Sequence, residues 1–208
     1  MVKPGAVVWD IGANLGLFSF AAAGLAGPSG KIFAVEPDIY LVNLLRRSSR
    51  LNNDQAAPVT VIPCAAADSL ALETFNIAQR ARASNFLSGY GSSQAGGIRE
   101  TQRVLTVTLD WLATQIPPPN LIKIDTEGAD LRVLHGASQL LREKKPDILF
   151  EAQDSIAGEA TTFLSDLGYT LFDADLPRQS RQPLSRAAFS TLAISTHKAM
   201  VPPGTSQA

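Results

Sequence analysis

Three short segments carry the residues whose types and spacing could do chemistry. The first reads DIGANLG from Asp10 to Gly16, the second is the acid Glu36, and the third reads DTEG from Asp125 to Gly128. Glycines allow a tight turn, and free N–H groups at the start of a helix can bind a carboxylate or a phosphate. Glu36 follows Gly16 by twenty residues, the spacing at which a carboxylate meets both hydroxyls of a ribose. The pattern predicts a site for a nucleotide-like cofactor.

The charge next to the glycines indicates which cofactor this is. A dinucleotide fold uses Gly-x-Gly-x-x-Gly to hold a pyrophosphate, whereas this chain has Gly-x-Asn-x-Gly with Asp10 before it. Asp10 would repel a pyrophosphate and attract an ammonium group, which S-adenosyl-L-methionine carries together with adenosine. We therefore expect this cofactor, although the glycines could instead only let the turn pack tightly. The expected cofactor ligands in these two segments are Asp10, Gly12, Ala13, Asn14, Gly16 and Glu36.

The third segment supplies candidates for proton transfer. Asp125 comes at the end of an apolar run, and open α/β sheets bind ligands at the carboxyl ends of their strands. An aliphatic alcohol keeps its proton at neutral pH, so a nearby carboxylate could act as general base in methyl transfer. Asp125 is the first candidate, and Glu127 and Glu151 are alternatives. Asp125 could instead bind the cofactor's amino group or cap the next helix, while Glu127 and Glu151 could be surface or helix-start carboxylates. Asp125, Glu127 and Asp130 could also hold Mg²⁺, but carboxylates in loops are usually only solvated. The chemistry needs no metal, and we expect none.

Strands and helices alternate along the chain and would position these groups. Apolar, β-rich runs end at Asp10, Glu36, Asp125 and Glu151, so all four acids are expected at strand ends. Such alternation predicts an α/β fold with a doubly wound, mostly parallel sheet. Further strands are expected at 59–62, 104–107, 169–173 and 190–195, and helices at 18–25, 39–51, 109–113, 131–141 and 157–166.

Length and composition indicate a single domain. The 208 residues are 45% apolar and 18% charged, which is typical of one soluble domain with a large core. We assign this domain to residues 1–198 and expect a disordered tail at 199–208. Residues 79–98 contain four Gly and four Ser, so a flexible loop or lid is expected there.

The charge balance restricts the partners. Eighteen basic and nineteen acidic residues give a net charge of −1, so we expect neither a nucleic acid nor a membrane as partner. A small molecule or a saccharide is the expected acceptor, and the sequence does not indicate the oligomeric state. Cys64 is the only cysteine and cannot form an internal disulfide, which favours a cytoplasmic location.

Taken together, the motifs resemble the FkbM family of S-adenosylmethionine-dependent methyltransferases. The resemblance is carried by DIGANLG at 10–16, by Glu36-Pro37, and by IKIDTEGAD at 122–130 with VLHGA at 133–137. It implies a class I methyltransferase fold (Rossmann-like) with seven strands in the order 3-2-1-4-5-7-6, the last strand antiparallel. It also implies O-methylation of a sugar or natural-product hydroxyl. The adenine would follow the third strand, where Asp68 could reach its amino group or could instead be a turn residue.

Two other functions remain open at this point. An NAD-dependent oxidoreductase is disfavoured because Gly-x-Gly-x-x-Gly and a Tyr-x-x-x-Lys pair are both missing. A cofactor-binding module without catalysis would bind the cofactor but transfer nothing. Amino methylation of nucleic acids would need an Asn/Asp-Pro-Pro-aromatic segment after the fourth strand, where the chain has Asp125-Thr126-Glu127-Gly128 instead.

Overall fold

Alternating strands and helices build the molecule, as the sequence predicts. The computed structural model describes residues 1–51, 53–80, 84–90 and 96–195. In chain order the elements are β1 (Val7–Ile11), α1 (Leu17–Ala26), β2 (Lys31–Val35), α2 (Ile39–Ser49), β3 (Val59–Ile62), β4 (Ala65–Ala66), β5 (Ala71–Ala78), β6 (Phe86–Leu87), β7 (Ile98–Val107), α3 (Leu109–Leu112), β8 (Leu121–Ile124), α4 (Asp130–His135), α5 (Ser138–Lys144), β9 (Asp147–Glu151), α6 (Asp154–Asp166), β10 (Tyr169–Asp173) and β11 (Ser190–Ser195).

The main sheet confirms the predicted fold class. Its seven strands lie in the order β3-β2-β1-β8-β9-β11-β10. These labels differ from the predicted 3-2-1-4-5-7-6 because four strands of another sheet come between β3 and β8 along the chain; numbered within this sheet alone, the order is the same. β11 is antiparallel to both of its neighbours, and the other pairs in the sheet are parallel.

Both faces of the main sheet are covered. Side chains of a strand alternate between its two faces, so Trp9 and Ile11 belong to a buried cluster that includes residues of α3, α4, α5 and α6, while Val8 belongs to a cluster with the alanines of α1. All three side chains are fully buried. This explains why β1 is an apolar run rather than an alternating one.

A second sheet, which the sequence analysis did not anticipate, lies in the order β4-β7-β5-β6. Only residues 104–107 of it were predicted as a strand. Within the predicted lid at 79–98, Phe86–Leu87 form β6 and their side chains are buried. The flexibility of this segment stays a prediction, and residues 81–83, 91–95 and the predicted tail at 199–208 lie outside the described residues.

The helix predicted at 131–141 is two helices, α4 and α5. They are separated at Gly136, where a Cβ atom would lie 2.1 Å from the backbone oxygen of Ala67. A second helix start follows directly, and the carboxylate of Asp110 accepts hydrogen bonds from the N–H groups of Gln139 and Leu140 at 3.0 and 2.7 Å. The apolar spacing continues through both helices, which is why it predicted one.

Across the described residues, no helix is both long and apolar enough to cross a membrane.

Candidate functional site

A cavity lies at the carboxyl ends of β1, β2 and β8, where an open α/β sheet binds its ligands. It encloses about 660 Å³, including the part that opens to solvent. Its lining brings together residues of all three predicted segments: Gly12, Asn14, Glu36, Asp125, Thr126 and Glu127. The remaining lining residues are Val35, Pro37, Leu41, Cys64, Ala65, Ala66, Phe75, Asn85, Leu87 and Ala129.

The turn after β1 depends on residues with left-handed backbone conformations. Gly12, Asn14 and Gly16 have φ angles of 75°, 52° and 85°. A Cβ atom on Gly12 would lie 1.9 Å from the backbone oxygen of Asp125, so only glycine lets the ends of β1 and β8 come this close. Gly16 serves packing instead, because a Cβ atom there would lie 2.5 Å from a methyl group of Leu45 on α2. Of the two glycines, Gly12 lines the cavity and Gly16 does not.

Glu36 joins this turn to the end of β2. Its carboxylate accepts hydrogen bonds from the N–H groups of Asn14 and Asp38, both at 2.8 Å. The side chain is buried, and burial raises the pKa of Glu36 to about 7 although both amide bonds lower it. Each carboxylate oxygen can accept a further hydrogen bond. Glu36 therefore fixes the turn and still offers acceptors to a ligand in the cavity.

Asp10 lies beneath the cavity rather than in its lining. It is fully buried and accepts a hydrogen bond from the Ser19 hydroxyl at 2.6 Å, and its other oxygen lies 3.5 Å from Nζ of Lys123. Burial raises the pKa of Asp10, even though Lys123 and Ser19 act in the opposite direction. Ala13 is absent from this lining too, but it lines an adjoining open groove together with Asn14 and Lys123.

Lys123 is a site residue that the sequence analysis missed. Its Nζ atom donates to Oδ2 of Asp125 at 3.0 Å and to the backbone oxygen of Gly12 at 3.2 Å. Burial lowers the pKa of Lys123, but Asp10 and Asp125 raise it by more, so it is raised overall. The sequence contains a signal for this contact, because residues two apart on a strand share a face and Lys123 stands opposite Asp10 in the sheet.

The acids after β8 lie close to one another. Asp125 lines the cavity, and Glu127 lies at its exposed rim with a left-handed φ of 53°. Enough protein surrounds Glu127 that desolvation raises its pKa to about 7, with repulsion from Asp125 and Glu151 as the next causes. Glu151 ends β9 outside the lining, and its pKa is raised by partial burial and then by Asp125.

Asp130 completes this group of acids and starts α4. It is buried and accepts hydrogen bonds from the Thr126 hydroxyl at 3.1 Å and from the Gly128 N–H at 3.3 Å. Burial raises its pKa to about 6. Asp125 does not cap α4, because the residue before that helix is Ala129. Among the residues that the structure describes, no three His, Cys, Asp or Glu side chains are arranged to hold a metal ion.

Asp68 lies outside the cavity lining. Its carboxylate is partly exposed and accepts a hydrogen bond from Arg132 at 2.6 Å, which lowers the pKa of Asp68. Small residues preceding it, Cys64 to Ala66, do line the cavity. Three further lining residues were missed by the sequence analysis: Phe75 on β5, Asn85 just before β6, and Leu87 on β6. No local pattern could have found these three, because strand pairing distant in sequence brings them here.

Comparisons with known proteins bear on the fold and the family. Hexuronic acid methyltransferase AglP of Haloferax volcanii is 29% identical over 143 residues, which cover 65% of this chain and 52% of the relative. The crystal structure of methyltransferase FkbM from Methylobacillus flagellatus is similar with a TM-score of 0.58 and 19% identity over 91% of this chain and 43% of that one. Aeropyrum pernix fibrillarin, solved with natively bound S-adenosyl-L-methionine, has a TM-score of 0.54 and 12% identity over 93% of this chain and 67% of its own.

These comparisons establish the fold and the family. The chain spans about half the length of the curated relative it matches. The two solved structures, at 19% and 12% identity, show that the fold is that of methyltransferases. The model of the methyltransferase FkbM domain matches residues 10–171, well over half of the chain. This chain therefore belongs to the FkbM methyltransferase family.

Proposed function

We propose that the chain binds S-adenosyl-L-methionine in this cavity and transfers its methyl group to a hydroxyl of a sugar or small natural product. One observation carries the proposal: Glu36 and the segment from Asp125 to Glu127 line the same cavity in a chain of this family. The fibrillarin structure supports the choice of cofactor, because that protein holds S-adenosyl-L-methionine on a similar fold. No comparable observation supports the alternative function, hydride transfer by an NAD-dependent oxidoreductase.

The lining fits the cofactor by chemistry and by position. Glu36 offers carboxylate oxygens for the ribose hydroxyls, and the neighbouring part of the lining is suited to the faces of a flat aromatic ring such as adenine. That part combines small side chains with an aromatic ring: Cys64, Ala65, Ala66, Phe75 and Leu87. Asp68, bound to Arg132, is left out of the proposed adenine contact. The Asp125 carboxylate, which lines the cavity, is the anion best placed for the cationic end of the cofactor.

Glu127 is the general base that the site supports best. The bound cofactor supplies an electrophilic methyl group on a sulfonium, so the protein must align the acceptor, exclude water and take one proton. A base is most effective when its pKa is near the working pH, and the pKa of Glu127 is raised to about 7. Asp125 is less suited, since one of its oxygens accepts from Lys123 at 3.0 Å. Glu151 lies outside the lining and is the weakest of the three candidates.

The charges around the cavity favour a neutral acceptor. Desolvation raises the pKa of Glu127, and repulsion from Asp125 and Glu151 raises it further. These acids would also repel an anionic acceptor. The relative AglP is named for hexuronic acid, which carries a carboxylate when ionised. We propose a neutral hydroxyl of a saccharide or small molecule for this chain rather than a carboxylate.

Calorimetry and labelled transfer test this proposal. The protein is titrated with S-adenosylhomocysteine, then incubated with methyl-labelled S-adenosylmethionine and a panel of hexoses, hexuronic acids and small alcohols. We expect binding, and label in a neutral acceptor that survives mild alkali, because a methyl ether is stable there and a methyl ester is not. Binding without transfer to any acceptor would support a module without catalysis. Absence of binding heat would refute the cofactor assignment.

A further inference from the structure

The guanidinium of Arg132 on α4 contacts three other segments of the chain. It forms a bidentate pair with Glu73, with N···O distances of 3.0 and 2.9 Å. It donates twice to one oxygen of Asp68, at 2.6 and 3.0 Å. It also lies over the ring of Tyr90, 4.3 Å from the ring centroid. The side chains of Arg132 and Glu73 are 13% and 21% exposed, so solvent screens this pair less than the pair with Asp68, whose side chain is 41% exposed.

Four segments meet at this contact, one through Arg132 itself and three through its partners. Each of them also carries a residue of the cavity lining, at most three positions away from its contacting residue. Arg132 follows the lining residue Ala129 by three positions, and Asp68 follows Ala66 by two. The same holds for Glu73, two residues before Phe75, and for Tyr90, three residues after Leu87. Ala66, Phe75 and Leu87 lie on β4, β5 and β6 of the second sheet, whereas Ala129 precedes α4. The guanidinium therefore connects α4 with three segments of the second sheet that line the cavity.

Ala66 on β4 and Val107 at the end of β7 join the main hydrophobic core, whereas the part of the second sheet that carries Phe75 and Leu87 belongs to a separate, smaller cluster. The buried cluster at this junction contains six residues, of which only Ala129 lies beyond the segment from β4 to β7. An alanine side chain buries little area, so it contributes little to holding the part of the second sheet that carries Phe75 and Leu87. Charge-assisted, bidentate hydrogen bonds are stronger and directional, and only arginine offers this planar set of donors.

We propose that Arg132 is a positioning residue of the cofactor site. It holds the second sheet so that Phe75 and Leu87 close the adenosine end of the cavity. This inference rests on the proposed function, because it requires S-adenosyl-L-methionine in that cavity. It assigns Asp68 a role in the site without any contact to adenine.

The test compares two arginines of the same region. Arg103 on β7 donates to the Thr74 hydroxyl at 3.2 Å and to the Leu72 oxygen at 2.6 Å, both on β5, so these two bonds stay within the second sheet and do not connect it with α4. Arg132→Met and Arg103→Met are each titrated with S-adenosylhomocysteine and with 5′-methylthioadenosine, which has the adenosine end alone. We expect Arg132→Met to lower the affinity for both ligands by roughly tenfold or more. Arg103→Met should bind both within about twofold of the unmodified protein.

The outcomes separate this inference from the proposed function. Unchanged affinity in a folded Arg132→Met variant overturns the inference, as does an equal loss in both arginine variants. A loss for S-adenosylhomocysteine that spares 5′-methylthioadenosine also overturns it, because the adenosine end would then be unaffected. If the unmodified protein binds neither ligand, the proposed function itself fails. If Arg132→Met does not fold, Glu73→Gln is used instead, because it keeps the side-chain shape and removes the charge of one partner of Arg132. This variant must then lower the affinity for both ligands.

Discussion

The Glu127 and Asp125 carboxylates are two residues apart, yet the structure gives them different partners. Asp125 accepts a hydrogen bond from Lys123, whereas Glu127 lies among other acids at the cavity rim and has a pKa raised to about 7. We therefore expect Glu127→Gln to lower kcat by about a hundredfold or more, the usual contribution of a general base, with cofactor affinity nearly unchanged. Asp125→Asn should lower affinity as well as turnover.

Steady-state kinetics with the best acceptor and calorimetry with S-adenosylhomocysteine measure these two effects separately. Ser88→Ala, in the loop after β6, is a suitable control because its side chain contributes nothing to the cavity lining. If Glu127→Gln keeps full turnover and Asp125→Asn does not, Asp125 is the base, as the sequence first indicated.

Glu36 should make cofactor affinity depend on pH. Its pKa is raised to about 7 by burial, so it carries a proton below that pH and accepts fewer hydrogen bonds from a ribose. We expect the affinity for S-adenosylhomocysteine to increase as pH rises from 6 to 8. Glu36→Gln should weaken binding by about tenfold or more at pH 8, because a charge-assisted hydrogen bond is lost.

Calorimetry across this pH range on both proteins tests the point. The pH dependence must be absent from Glu36→Gln and present in Glu143→Gln, which changes an exposed acid on α5. If the affinity of Glu36→Gln still increased with pH, the titrating group would be a residue other than Glu36.

At the scale of the elements, the contact between the ends of β1 and β8 is the feature on which the site depends. Gly12 has a φ of 75°, and a Cβ atom there would lie 1.9 Å from the backbone oxygen of Asp125. Gly12→Ala should lower the free energy of unfolding by about 2 kcal/mol or more, since left-handed strain and the displacement of Asp125 add together. Gly24→Ala on α1 has nothing within 4 Å and should raise it by about 0.5–1 kcal/mol.

Urea denaturation of the two alanine variants gives these values directly. The opposite signs are the essential result, because both substitutions add one methyl group. If Gly12→Ala were as stable as the unmodified protein, the strand ends could separate without cost, and the geometry of the site would need another explanation.

Local patterns determined what the sequence could predict. Glu36 was found because it ends an apolar strand at a fixed spacing from the glycine turn, and both features lie within one βαβ unit. The sequence analysis did not identify Phe75 and Leu87, because β5 and β6 reach the cavity only through pairing with each other and with β7. Lys123 is intermediate between the residues that local patterns identified and those that they missed. Its neighbour Asp125 was recognised, but its contact with Asp10 depends on the register between β1 and β8.

At the scale of the whole molecule, the cavity lies between two sheets, and its construction requires acids to be buried. Glu36 and Asp130 have pKa values raised from 4.5 to about 7 and from 3.8 to about 6, in both cases mainly by burial. Such a group stabilises the fold fully below its unfolded pKa, and this contribution is lost as pH rises through the folded pKa. For these two acids the window therefore runs from roughly pH 4 to pH 7.

We expect the cofactor-free protein to lose stability as pH rises through this window, which is the opposite direction to the predicted cofactor affinity. Asp68 acts the other way, since Arg132 lowers its pKa, but its contribution changes only below pH 3.8. Urea denaturation at a series of pH values measures the slope, and Glu36→Gln should reduce it. Stability that is constant or increasing from pH 5 to pH 7 would mean that these carboxyl groups are hydrated in solution. The cavity would then be more open than the two sheets make it here.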